Sequence, residues 1–344
     1  MVRNSTHIVN VYPSPRFKDG LRFVAKRYVG DECNPDGITL LFFHCTASPK
    51  EIFGPTILNL LSKKHPTWRA CMIREAWTFD HPGHGEAGVL NSSALKQQET
   101  GVTVGEWCES FKAFYASGIF DGHTLVPLGH SLGATAALLA TVPSSLPAVP
   151  FKALIFIEPS MITQDAWNEH VKEQERSLTL VCSMILKRRD TWDTRADARR
   201  YFESRLPWST WDPRAMDLFI KHGLKEIPLQ EHGSNTVPET RVTLCCDKGQ
   251  EYSQYKNRAP HILATEHLRT LDASIPVHFI LGERESPIIP KYCHESVLAV
   301  KPVASLQTVS GAGHFVPQEK PNELATCIVR ILTGEAAFQV RATL

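Results

Sequence analysis

Apolar and polar residues alternate over 7–12 (His-Ile-Val-Asn-Val-Tyr) and 21–28 (Leu-Arg-Phe-Val-Ala-Lys-Arg-Tyr), with prolines and a glycine between them. A period of two predicts half-buried strands joined by a turn. Residues 38–43, Ile-Thr-Leu-Leu-Phe-Phe, form a continuous apolar run, as expected for a strand covered on both faces. A helix is expected from Pro49 to about Leu61, and a strand over 72–79 ending at Asp80. Thr103-Val-Gly-Glu106 reads as a capping box that opens a helix with an apolar face of Val104, Trp107, Phe111 and Phe114. Strands follow at 124–128, 153–157 (ending at Glu158), 277–281 and 304–309. A final helix near 321–332 places Leu324, Cys327, Ile328, Ile331 and Leu332 on one face.

Strands alternating with helices predict an α/β fold with a doubly wound, mostly parallel sheet. The rhythm breaks over 161–265. That block has no strong strand signal, several helical stretches, much of the charge, and Trp167, Trp192, Trp208 and Trp211. The expected organisation is therefore a core of 1–160 and 266–344 carrying a helical cap, 161–265. The cap is inserted at the edge of the sheet where open α/β folds bind substrate.

Composition narrows the function. The 344 residues are 42% hydrophobic, enough for a large core, and 37 basic against 36 acidic residues leave a net charge of +1. That balance gives no electrostatic reason to expect nucleic acid or membrane as a partner. Nine cysteines are scattered without a C-x-x-C pair, so free thiols in a reducing compartment are expected rather than a disulfide framework or a zinc site. No signal peptide or membrane span is legible. The final Ala342-Thr-Leu344 lacks the basic middle residue of the peroxisomal S-K-L signal. A cytoplasmic location is expected, with a peroxisomal one as the alternative.

The chemistry centres on Val126-Pro-Leu-Gly-His-Ser-Leu-Gly-Ala134. An apolar strand end, Gly129-His130-Ser131-Leu132-Gly133 and a run of small residues make the strand–turn–helix context of a G-x-S-x-G nucleophile elbow. Ser131 is the candidate nucleophile, and the Leu132 amide one donor to a developing oxyanion. A serine nucleophile also needs a base, a group to orient that base and a second donor. His314, in Gly311-Ala-Gly-His-Phe-Val-Pro317, follows the last strand and is the candidate base. The second donor is expected from the loop after the strand at 38–43. There His44-Cys45-Thr46 stands in place of the His-Gly-X of related enzymes, which nominates the Thr46 amide. Cys45 as a nucleophile is disfavoured because no elbow holds it.

Two carboxylates compete to orient His314. Glu285, in Leu281-Gly-Glu-Arg-Glu-Ser-Pro287, follows the penultimate strand. Glu158, in Ile157-Glu-Pro-Ser160, follows the strand after the elbow. Its neighbours are small or apolar, so a charge there needs a partner. Asp80-His-Pro-Gly-His-Gly85 reads as a turn that shapes the same edge of the sheet, in preference to a zinc site built on Asp80, His81 and His84. No metal and no cofactor is expected.

Over 7–160 and 270–335 the chain resembles the α/β-hydrolase superfamily. Within it, the chain resembles the fungal group that includes toxin-biosynthesis hydrolases and the acyl-CoA hydrolase of mycophenolic acid biosynthesis. The residues that carry the resemblance are His44 with Ser48-Pro-Lys-Glu51, Gly129-His-Ser-Leu-Gly133, Ile157-Glu-Pro159, Asp212-Pro-Arg214 and Gly313-His-Phe-Val-Pro317. In that group the acid can stand after the strand that follows the elbow, which implies Glu158. Members often end in a peroxisomal signal, and this chain does not.

The resemblance implies a serine hydrolase, monomeric or homodimeric, that cleaves a small-molecule acyl ester or thioester. An acyl-CoA or polyketide-derived substrate of secondary metabolism is the expectation. The same residues would serve an acyltransferase, a cyclase, a lactonase or a carbon–carbon hydrolase, and a non-catalytic receptor on this fold is the alternative of another class. Within the cap, Lys187-Arg-Arg189, Arg195, Arg199 and Arg200 are either a site for coenzyme A phosphates or a solvated face balanced by Asp190, Asp193 and Asp197.

Overall fold

A computed structural model describes residues 2–31, 33–62, 72–228 and 240–335. Its strands are β1 (Arg3–Val11), β2 (Leu21–Val29), β3 (Ile38–Phe43), β4 (Ile73–Phe79), β5 (Thr124–His130), β6 (Leu154–Ile157), β7 (Thr191–Trp192), β8 (Leu224–Pro228), β9 (Thr240–Leu244), β10 (Val277–Gly282) and β11 (Ser305–Val309). Eight of them form one sheet in the order β1-β2-β4-β3-β5-β6-β10-β11. The pairs β1–β2 and β2–β4 are antiparallel, and every pair from β4 to β11 is parallel. The uninterrupted apolar run of β3 thus sits inside the sheet, buried at every residue but Ile38, as a strand covered on both faces must be.

Each face of the sheet carries its own core. On one side lie the helices Val104–Phe114, Leu132–Leu139 and Ala259–Thr270, with Phe43, Phe79, Trp107, Phe111 and Phe114 packed together. Thr103 and Glu106 form the expected capping box. On the other side lie Gly54–Leu60 and Pro321–Leu332. The segment expected as one helix over 49–61 is a 3-10 turn, Lys50–Phe53, followed by the α-helix Gly54–Leu60. Among the described residues no helix is long and apolar enough to cross a membrane. The tripeptide 342–344 lies outside the described residues.

The inserted segment departs from expectation. It holds helices at Gln164–Glu169, Val171–Lys187, Arg195–Glu203, Pro213–His222 and Lys248–Lys256, but also a second, antiparallel sheet, β7-β9-β8. These strands escaped the sequence reading because they are short and interleave charge with apolar residues. β8 reads Leu-Lys-Glu-Ile-Pro and β9 Thr-Arg-Val-Thr-Leu, with only one or two buried positions each. The helix Ala259–Thr270, whose first turns fall inside the expected 161–265 insertion, packs Ala264 and Leu268 into the sheet core.

The tryptophans of the insertion are packing residues. Trp192 is fully buried against Tyr201 and Phe202, Phe202 meets Trp208 and Phe219, and Trp211 meets Phe219 and Phe315. This aromatic stack is continuous with the core on the second face of the sheet.

Candidate active site

Ser131 stands at the end of β5, at φ 53° and ψ −116°, as the N-cap of Leu132–Leu139. A side chain with a Cβ is strained in that region. The flanking glycines make the turn possible: a Cβ on Gly129 would fall on the backbone of Ala134, and one on Gly133 on the carbonyl of Phe43. The Ser131 amide donates to Ile157 O at 3.0 Å, tying the turn to the end of β6.

Three side chains from three strand ends meet here. His314, on the loop after β11, brings Nε2 within 3.1 Å of Ser131 Oγ. Its Nδ1 lies 3.2 Å from Glu158 Oε2. Glu158 follows β6 at φ 45°. Its other oxygen, Oε1, accepts the Gly282 amide at 2.7 Å. All three residues are buried. Burial pushes the Glu158 carboxyl up, but the hydrogen bond and charge of His314, with His294 and the Gly282 amide, outweigh it and hold the group below its ordinary value. An ionised Glu158 accepts from Nδ1–H, which leaves the Nε2 lone pair for the Ser131 hydroxyl.

Glu285, the competing carboxylate, lies exposed in the loop beyond β10 and takes no hydrogen bond from His314. Its neighbours fasten that loop instead. Glu283 accepts from Ser310 Oγ at 3.0 Å and the Gly311 amide at 2.8 Å, and Arg284 pairs with Glu319 at 2.5 Å.

The loop after β3 is fixed by a neutral histidine. His44 Nε2 accepts the His81 amide at 2.9 Å, so its Nδ1–H donates to Cys45 O at 2.7 Å. Burial pushes His44 down to about 4, in keeping with that tautomer. Cys45 is buried, with Sγ 3.2 Å from both Ser48 Oγ and Gln318 Nε2. Burial pushes its thiol up to about 11, which makes it a poor nucleophile. Ala47 takes φ 63°. Among the described residues, the Thr46 and Leu132 amides donate to no other group. These are the two amides expected to face an oxyanion.

The Asp80–Gly85 turn braces this loop from the β4 side. Asp80 Oδ1 accepts the Lys50 amide at 2.8 Å, and Oδ2 takes Lys50 Nζ at 3.1 Å. Gly85, at φ 53°, is held so close to this carboxylate that a Cβ would overlap it. His81 and His84 join through their Nδ1 atoms, 2.8 Å apart. Among the described residues no group of three or more His, Cys, Asp or Glu side chains is arranged to hold a metal ion.

A cavity of about 710 Å³ opens beside this arrangement, lined by Gly83, Val102, Leu132, Gln250, Ser253 and His261 among others. It reaches the residue after the serine without being lined by Ser131. Among the described residues, four of the arginines that the sequence nominated for a phosphate site are engaged elsewhere. Arg188 pairs with Glu251, Arg199 with Glu203 and Asp217, and Arg200 with Asp197, while Arg195 donates to the carbonyls of Ile220 and Leu224.

Residues 40–326 match the model of the alpha/beta hydrolase family. The chain belongs to that family. Two relatives of this alpha/beta hydrolase come from the fungus Alternaria alternata. The abhydrolase domain-containing protein AFT2-1 is 23% identical over 231 residues, 59% of this chain and 81% of the relative. ACTT2 is 29% identical over 230 residues, with the same coverage. Among solved structures, the peroxisomal alpha-beta-hydrolase Lpx1 of Saccharomyces cerevisiae superposes with a TM-score of 0.72 at 17% identity, over 98% of this chain and 90% of its own. An esterase of M. tuberculosis gives 0.62 at 14% identity over 96% and 92%. The thioesterase domain of the curacin biosynthetic pathway gives 0.59 at 14% identity over 94% and 99%. At these identities the structural likeness shows the fold.

Sequence reasoning missed four supports of the site. The His130 Nε2–H donates to His314 O at 2.8 Å, Gln318 bonds Cys45 and Ser48, the Gly282 amide holds Glu158, and His294 Nε2 lies 3.7 Å from Glu158 Oε2. His130 and Gln318 sit inside or next to motifs already singled out, so proximity was the available signal. Nothing in the sequence marks His294.

Proposed function

We propose that this alpha/beta hydrolase cleaves an ester or thioester through an acyl-enzyme intermediate, with Ser131, His314 and Glu158 as its catalytic triad. The observation that carries this reading is the continuous relay from Glu158 through His314 to a serine held in an elbow, at 3.2 and 3.1 Å. His314 takes the Ser131 proton as Oγ attacks the carbonyl, and Glu158 stabilises the imidazolium that forms. The oxyanion is received by the Leu132 and Thr46 amides, which have no competing acceptor among the described residues. The same histidine returns its proton to the leaving alcohol or thiol, then activates water for deacylation. The chemistry needs no cofactor, and the inserted segment acts as the cap over the serine.

Esterases and a thioesterase among the structural neighbours support the reaction class. The resemblance to the fungal group and the Alternaria relatives support an acyl substrate of secondary metabolism. With Arg188, Arg195, Arg199 and Arg200 engaged in ion pairs or carbonyl contacts, the apolar acyl part rather than a nucleotide phosphate is the expected basis of recognition. The test is labelling of the purified protein with a fluorophosphonate probe, followed by an ester and acyl-CoA panel read by mass spectrometry. Labelling at Ser131 and release of free acid, both lost in Ser131→Ala, are expected. Turnover that survives in Ser131→Ala would overturn the reading.

A further inference from the structure

We infer that His261 is a specificity-determining residue: its Nε2–H donates into the cavity beside the elbow, to a carbonyl or hydroxyl oxygen carried on the acyl part of the substrate. His261 lies in the first turn of the helix Ala259–Thr270 and is 2% exposed. Its Nδ1 is 2.8 Å from Thr135 Oγ1 and 3.1 Å from Ser160 Oγ. Among the described residues Nδ1 is the one acceptor within reach of either hydroxyl. It therefore keeps its lone pair, and the ring proton sits on Nε2. Burial pushes the imidazole well below its ordinary value, so the ring is neutral.

The other ring nitrogen has no such use. The Nε2 atoms of His81, His84 and His294 are closed off inside the protein. That of His261 has no hydrogen-bond partner among the described residues, yet it is not sealed from solvent. The space His261 lines is the cavity of about 710 Å³, a size that takes a small molecule. Leu95, Val102, Val104 and Leu132 give the cavity a buried apolar wall. Gln250 Oε1 accepts the Val102 amide at 3.1 Å, and Gln254 Nε2 donates to the Val102 carbonyl at 2.5 Å. These two bonds fasten the helix Lys248–Lys256 along that wall. An apolar lining with a few placed polar groups is what a small-molecule pocket requires, and a buried donor left without an acceptor is costly.

Its position connects the cavity to the reaction. Leu132, whose amide is one of the two proposed oxyanion donors, and His261 line the same space. Thr135, which His261 touches, stands one turn beyond Ser131 on the elbow helix, a rise of about 5 Å. The cavity thus runs from the oxyanion side of the serine along the elbow helix to the free Nε2–H. An acyl chain that leaves the reacting carbonyl on the Leu132 side enters apolar surroundings and then meets one neutral donor. The inference deepens the hydrolase reading and rests on it for the reacting end of the substrate. It adds that the acyl part carries an oxygen some atoms away from the carbonyl that is attacked.

The experiment compares p-nitrophenyl octanoate with its oxo derivatives, the ketone placed in turn at each carbon from the fourth to the seventh. At least one oxo ester should be preferred about tenfold or more in kcat/KM, with the difference carried by KM. The matching methyl esters, titrated calorimetrically into the Ser131→Ala protein, should show the same preference without turnover. Two variants then separate recognition from packing. His261→Asn keeps an acceptor where Nδ1 stands and removes the Nε2–H, so it should lose the preference while melting close to wild type. His261→Gln keeps an N–H near Nε2 and gives up the contacts to Thr135 and Ser160, so it should melt lower yet retain part of the preference. Equal treatment of plain and oxo esters by the wild type, or a preference that survives in His261→Asn, overturns the inference. Loss of the preference in both variants in step with melting temperature also overturns it, because His261 would then be a packing residue. Failure of the hydrolase reading would appear separately, as wild-type protein that resists the fluorophosphonate.

Discussion

The Nε2–H of His130 donates to the backbone carbonyl of His314, 2.8 Å away. The residue before Ser131 thereby ties the turn at the end of β5 to the loop that carries His314, the proposed base. Serine and histidine are 183 residues apart in the chain, so the pair depends on this tie as well as on the sheet. His130→Ala should lower kcat by roughly 10- to 100-fold with little change in KM, because a displacement of about 1 Å at the base is enough to cost that much. Steady-state kinetics on a p-nitrophenyl ester, with circular dichroism as the check on folding, measures it.

The two candidate acids give opposite expectations. Glu158→Gln leaves the shape of the site but removes the charge that orients and stabilises imidazolium. It should reduce kcat on the order of 10³- to 10⁴-fold. Glu285→Gln alters a solvated side chain and should stay within about twofold of wild type. A result that reversed the two would return the acid to the loop after β10.

How far each feature was legible follows from what it depends on. The run Ile38–Phe43 announced an internal strand because burial on both faces leaves no room for polar residues. Ser131 was legible because glycines must flank a backbone this tight, and His314 because it stands in a loop after the last strand. The choice between Glu158 and Glu285 was not, since it turns on backbone direction. At φ 45° Glu158 turns its side chain toward the loop after β11, and no neighbour in sequence requires that. β8 and β9 were hidden by alternating charge.

Acid should loosen the fold from within. Burial pushes His44 down to about 4 and His81 to about 3, against an ordinary value of 6.5. A histidine with a depressed folded value binds fewer protons folded than unfolded, so stability falls as pH drops from about 6.5 toward 4. His44 alone should account for something on the order of 3 kcal/mol over that window. Thermal melts at pH 7.5, 6 and 4.5 should show a falling midpoint, and His44→Asn should flatten the dependence while lowering stability at pH 7.5.

Cys45 sits in the oxyanion loop yet should be chemically silent. It is buried, with its thiol pushed up to about 11, whereas Cys33 is exposed. Iodoacetamide on the native protein should modify Cys33, leave Cys45 untouched and preserve activity. Peptide mapping by mass spectrometry, alongside an activity assay, checks both.

Gly133 has no tolerance for a methyl group, because a Cβ there would overlap the Phe43 carbonyl at the end of β3. Gly133→Ala should cost about 3 kcal/mol or prevent folding. The loss is measurable as a lower urea midpoint or as protein confined to inclusion bodies.

The aromatic stack of Trp192, Phe202, Trp211 and Phe219 merges with the apolar side of the sheet through Phe315, the residue after the base. The insertion is therefore no detachable flap. It should melt with the sheet in a single cooperative transition, and a chain from which it has been excised should precipitate, its sheet stripped of half a core. Changes that retune what the protein accepts while keeping its fold should then fall on residues lining the inserted segment, because exchanging the whole segment would strip the sheet of part of its core.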